Sequence, residues 1–122
     1  MEFIFRLDYD NITCFQLETY LDVILKIGKR RIKKIRSRLS AGGHGFHVEV
    51  TIQIPDSLLK TIPSFNSFIL GIRYAFNDCF GRVKGDIARM KLDKRVDRLA
   101  DYKDGKYASE WKTEYSGGKN ET

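Results

Sequence analysis

The sequence predicts an α+β domain in the order strand, helix, strand, strand, helix, strand, and three observations carry that reading. Residues 2–8 and 32–54 alternate polar and apolar side chains with a period of two, as half-buried strands do. Residues 13–28 and 63–81 place their apolar residues at helical spacing instead. The glycine-rich turn Ala41-Gly42-Gly43-His44-Gly45 joins two of the alternating runs and makes them neighbours. With 122 residues, 42% hydrophobic and 12% aromatic, the chain has material for one core and not for two.

The first strand has Phe3, Phe5 and Leu7 on one face and Ile4, Arg6 and Asp8 on the other. Asp10 joins the Asp8 face if the backbone stays extended. A capping box, Thr13 with Gln16, opens the first helix, Leu17, Leu21, Ile24 and Leu25 form its apolar stripe, and Gly28 stops it. In the second strand Lys34, Arg36 and Arg38 alternate with Ile35, Ser37 and Leu39. In the third, Phe46, Val48, Val50, Ile52 and Ile54 lie opposite His47, Glu49, Thr51 and Gln53. Pro55-Asp56-Ser57 breaks that strand, and a short turn or helix follows over 58–62.

Pro63 suits the first position of a second helix, whose stripe is Phe65, Phe68, Ile69, Ile72, Phe76 and Cys79, closed by Gly81. Gly85-Asp86 reads as a turn. From Arg89 alternation returns, with Met90 and Leu92 against Arg89, Lys91, Asp93 and Arg95, so a fourth strand is expected there. A C-terminal hairpin turns about Asp104-Gly105, and Trp111 is expected to anchor its return limb on the core. Residues 1–115 then form one domain and 116–122 a disordered tail. Cys14 and Cys79 fall in apolar helical patterns and read as small core residues rather than metal ligands or a disulfide framework.

This order is the split βαβ (βαββαβ), RRM-like or ferredoxin-like arrangement: a four-stranded antiparallel sheet, order 4-1-3-2, with both helices on one face. Parity then puts Asp8, His47, Glu49 and Asp93 together on the helix-free face. Carboxylates in a basic field are hard oxygen ligands of the kind that suit Mg²⁺ or Mn²⁺, ions that carry triphosphates. The competing reading is that these acids only neutralise their Lys and Arg neighbours on a solvated sheet.

A net charge of +6 and a pI near 9.4 favour polyanionic partners. Eight Lys or Arg and no acid lie between Lys26 and Arg38. Nucleic-acid backbone contacts are therefore expected from Lys29, Arg30, Arg31, Lys33 and Lys34, and from Arg89 and Lys91 on the fourth strand. The amino terminus has no signal-peptide pattern, and no apolar run approaches the ~18 residues that span a bilayer. A soluble, cytoplasmic protein without membrane partners is the expectation.

The motifs together resemble the catalytic core of the archaeo-eukaryotic primase (primase-polymerase) superfamily. Asp8-Tyr9-Asp10 is similar to its Asp-x-Asp pair, and Gly43-His44-Gly45-Phe46-His47-Val48 to its glycine turn running into an aromatic-His strand. Asp93, in Arg89-Met90-Lys91-Leu92-Asp93, is similar to its third acid. Short proteins of archaeal viruses and plasmids share the pattern, including the later Gly85-Asp86, Arg89 and Asp93.

The resemblance implies metal-dependent nucleotidyl transfer in replication. Asp8, Asp10 and Asp93 would be the catalytic, metal-holding residues, with His47 on nucleotide phosphates and Arg36 and Arg38 near the triphosphate or template. The family's serine is matched by Ser40 only with an insertion, because Gly42 stands at its place.

Three other readings compete. An RRM-type binding module stacks bases on outward aromatics of its first and third strands, where this chain has Ile4, Arg6, His47 and Glu49. That leaves backbone binding open. A rolling-circle initiator needs two histidines on one strand face, and His44 and His47, three apart, point oppositely. A regulatory protein pairing as a homodimer or with a replication partner would tolerate loss of Asp8.

Overall fold

The computed structural model describes residues 1–43, 45–61, 65–76, 78, 80–91, 99, 102–103 and 106–117. It is an α+β fold built on a four-stranded antiparallel sheet. The elements are β1 (Glu2–Asp10), α1 (Cys14–Gly28), a 3₁₀ turn (Lys29–Arg31), β2 (Ile32–Leu39), β3 (Gly45–Gln53), α2 (Asp56–Leu59), α3 (Phe65–Ala75), α4 (Phe80–Lys91), a short β4/β5 hairpin (Tyr102–Lys103, Lys106–Tyr107) and β6 (Lys112–Ser116).

Strand β3 is central and pairs with β1 and β2 over nearly its whole length. Phe5, Val50 and Ile35 form one row across the sheet, and Leu7, Val48 and Ser37 the next. The apolar members of these rows are fully buried, and each contributes roughly 1.5–3 kcal/mol by leaving water. Leu17, Leu21 and Ile24 of α1 close over them, started by the expected capping box between Thr13 and Gln16. From α3 and the residue after it, Phe68 meets Phe3 edge-on and Phe76 stacks on Phe5. Both helices thus cover the face carrying Phe3 and Phe5.

The sheet order is β1-β3-β2-β6, so the fourth strand lies beside β2 and not beside β1. Residues 80–91, part of which were expected as that strand, are helix α4. Alternation across Arg89-Met90-Lys91 is too short to separate the two periods, and the buried positions Val83 and Asp86 fall at helical spacing. Arg89 and Lys91 are therefore helical residues, and Asp93 lies outside the described residues. The second helix, expected to run to Gly81, ends at Ala75; Gly81 falls inside α4, and Cys79 also lies outside the described residues. Cys14, at the first turn of α1, is exposed rather than in the core. Ser116 closes β6, and the Gly117 N–H donates to the Lys33 carbonyl, so the expected tail begins no earlier than residue 118. Among the described residues no helix is long and apolar enough to cross a membrane.

The outer edge of β1 is met by side chains. The Asp8 N–H donates to Asp78 Oδ1 at 2.6 Å, and Arg82 Nη1 donates to the Arg6 carbonyl at 2.9 Å. Asp78 is itself held by Arg73 at 2.5 Å and by Arg82 at 2.7 Å, and Arg73 reaches on to Asp86 at 2.6 Å. Arg73 is fully buried, so it depends on these two carboxylates. Asp78→Ala is expected to destabilise the fold by about 3–5 kcal/mol, because it strips a buried guanidinium of a partner. Arg89→Ala, at a half-exposed side chain bonded to Asp86, should cost less than about 1 kcal/mol. Urea unfolding of the two variants makes the comparison.

Candidate functional site

The helix-free face of the sheet is where the expected site residues meet. Its rows follow from register: Asp8, His47 and Arg38 lie side by side on β1, β3 and β2, and Arg6, Glu49 and Arg36 form the next row. Ile4, Thr51 and Lys34 form a third. Asp10 stands opposite Gly45 beyond the first row. Period-two alternation on three strands in register puts all of these side chains on one side.

The register can hold so tightly at Asp10 because position 45 has no side chain. A Cβ there would sit 2.1 Å from the Tyr9 carbonyl oxygen. The turn feeding β3 needs glycine for a different reason: Gly42 has φ 89°, and Gly43 donates to the Ser40 carbonyl at 2.9 Å. Ser40 is buried in this turn, and its N–H donates to the Gly45 carbonyl at 2.9 Å. His44 lies outside the described residues.

Within the first row, Arg38 Nε donates to His47 Nδ1 at 3.0 Å. Arginine has no acceptor, so this bond requires a lone pair on Nδ1 and leaves the ring proton on Nε2. Nε2 stands 3.8 Å from Asp8 Oδ1, too long for a hydrogen bond. His47 is 2% exposed, a buried imidazole fixed at one end and directed at a carboxylate at the other.

Asp8 Oδ1 is itself buried and has no hydrogen-bond partner among the described residues. Burial raises the Asp8 carboxyl from its ordinary 3.8 to about 6, helped by the Asp10 charge, opposed by Arg82, and helped again by Asp78 and a hydrogen bond with Asp10. In the second row Glu49 accepts Nε and Nη2 of Arg36 and pairs with Arg6 Nε at 3.3 Å. Tyr9, on the core side, donates to the Phe76 carbonyl at 2.7 Å, and burial pushes its phenol upward, with Asp78 and Tyr20 adding to the shift.

Trp111 belongs to this face, contrary to the core-anchoring role expected of it. Its ring lies 4.8 Å from the guanidinium carbon of Arg36 and 4.5 Å from that of Arg38. The cause is β6: it pairs with β2 so that Thr113 stands opposite Arg36, which puts Trp111 on the same side. Trp111, Asp78 and Arg82 had no alternating or motif signal in the sequence that marked them for this face.

The basic cluster is divided. Lys34, Arg36 and Arg38 are on the open face, whereas Lys29, Arg30 and Arg31 sit in the 3₁₀ turn at the far end of β2. There they rim an apolar groove floored by Ile32, Ile52 and Phe68. Lys33 falls at an irregularity in β2–β3 pairing. Arg89 is engaged by Asp86 on α4, away from the strand row foreseen for it. Among the described residues no group of three or more His, Cys, Asp or Glu side chains converges as a metal cage.

No protein-family model matches this chain, and no curated protein or solved structure matches it.

The Asp8 shift has a calculable sign. The folded state holds this proton more tightly than the unfolded chain, so its contribution to stability is full below pH about 4 and declines as pH rises through about 6. Asp8→Asn is therefore expected to stabilise the fold at pH 8, by on the order of 1–3 kcal/mol, and to be neutral at pH 4. Urea unfolding of both proteins at the two pH values measures it.

Proposed function

We propose that this chain binds nucleotides and nucleic acid on the open face of its sheet, in the manner of a minimal primase-polymerase core. The observation supporting it is the row of Asp8, His47 and Arg38, with Asp10 beside it. With Asp10 next along β1, the row sets two carboxylates, an imidazole and a guanidinium at neighbouring positions of one face.

The residues present fit a divalent cation. Asp8 offers a buried oxygen without a partner next to a second carboxylate, a state that a cation relieves. Mg²⁺ commonly takes only one or two carboxylates and completes its sphere with water and substrate phosphates. Asp8 and Asp10 would hold it, and when bound it would neutralise and orient phosphate oxygens. His47 presents its Nε2 proton in the same place, with Arg38 holding the ring's orientation. Arg36, Arg38 and Lys34 supply positive charge along β2 for phosphates that follow.

Nucleotidyl transfer, the stronger form of this reading, draws on Asp93 as a third ligand, and that residue lies outside the described ones. A binding module without catalysis is the second reading. It is favoured by the helical placement of Arg89 and Lys91 and by the presence of only Asp8 and Asp10 among the expected ligands on the described face. Pairing with a second copy or a replication protein belongs to this second reading, as does a setting in cytoplasmic replication of a virus or plasmid.

Titration of a labelled nucleoside triphosphate and a labelled oligonucleotide, each with and without Mn²⁺, separates the two. Under the first reading nucleotide binding requires Mn²⁺ or Mg²⁺, and Asp8→Asn or Asp10→Asn weakens it tenfold or more. Under the second, the aspartate variants bind as well as the parent or better. In both, the double variant Arg36→Glu, Arg38→Glu lowers oligonucleotide affinity and flattens its salt dependence, each lost phosphate contact removing about 0.7 from the log–log slope.

A further inference from the structure

The chain has one tryptophan, and it lies among charges instead of in the core. Trp111 is half-buried, with two guanidiniums against its ring. Neither guanidinium is free to turn away, since Arg36 is tied to Glu49 and Arg38 to His47. Tryptophan is the best partner for such cations, and indole rings and guanidinium planes are both surfaces on which unpaired bases stack. A rigid stack of this kind on an otherwise charged sheet provides a flat apolar surface inside a positive field.

The spacing beside it is also informative. Lys34, Arg36 and Arg38 alternate along β2, so their Cα atoms follow one another at about 6.7 Å. A line of cations on one face can meet the phosphates of one nucleic-acid strand. The indole face is what selects strandedness, because only a strand whose bases are unpaired and unstacked can lay a base against it. Duplex DNA keeps its base faces inside the stack and offers this surface phosphates alone.

We propose that Trp111 is the stacking platform of this face and that its ligand class is single-stranded nucleic acid. One base lies against the indole–guanidinium stack while adjacent phosphates meet Arg36, Arg38 and Lys34. The inference rests on the phosphate-binding reading above and goes beyond it by naming the strandedness of the ligand and the residue that reads it. It also supplies the outward aromatic that β1 and β3 lack.

Because Trp111 is the only tryptophan, its intrinsic fluorescence reports the site directly. Short oligothymidylate, an abasic oligomer of the same length, and a duplex of that length are titrated into the full chain. Oligothymidylate is expected to shift or quench the emission and the abasic oligomer to leave it nearly unchanged. By anisotropy with labelled ligands, Trp111→Ala should weaken oligothymidylate binding by about five- to a hundredfold, the range for loss of one stacked base. It should leave abasic affinity within about twofold, while Trp111→Phe keeps most of the binding.

Equal affinity of the wild-type chain for oligothymidylate and the abasic oligomer would overturn the stacking role, and needs no variant to fold. Preference for the duplex would overturn the strandedness. If either happens while salt-sensitive binding persists, the phosphate-binding reading survives and only this inference falls. Failure of every oligomer to bind ends both.

Discussion

Strand β3 is paired on both sides, and this single constraint organises the molecule. Its neighbours cannot slip by one residue without exchanging the buried and open faces of all three strands. Val48 and Val50 are completely buried, so such a slip would push His47 and Glu49 into the apolar layer. The same lock that assembles Phe5, Val50 and Ile35 on one side aligns Asp8, His47 and Arg38 on the other. Core and candidate site are two faces of one register, and the packing that stabilises the first holds the second in place.

Polar groups on the open face hold one another in fixed poses. Glu49 grips Arg36 and Arg6, His47 takes Arg38, and Trp111 lies against both β2 arginines. A surface whose cations are already oriented loses less entropy on meeting phosphate than one of free lysines. The unbalanced part is the Asp8–Asp10 pair, where two acids crowd together and one buried oxygen goes unpartnered. Strain of this sort is commonly retained where a ligand relieves it.

The three-strand centre was readable because period-two alternation is long there: Phe46 to Ile54 keeps it without a break. The parity of Asp8, His47, Arg36 and Arg38 followed from that alone. The fourth strand was not readable, since Lys112-Thr113-Glu114-Tyr115-Ser116 has a single apolar residue and lies on an edge where little is buried. Helix α4 misled for the opposite reason. Its buried face includes Asp86, whose partner Arg73 is buried in another helix, so a core contact is written in charged letters. Gly85-Asp86 then looks like a turn. Trp111 takes its face from β6 and inherits the same obscurity.

The side-chain seal on β1 bears on how the sheet can grow. An added strand needs a run of unpaired backbone donors and acceptors, and here the Asp8 donor and the Arg6 acceptor are consumed by Asp78 and Arg82. Recruitment of a foreign peptide or fibrillar stacking is therefore blocked midway along that margin. Lateral enlargement of the sheet is left to β6, whose charged Lys112 and Glu114 set the terms on which a neighbour could dock.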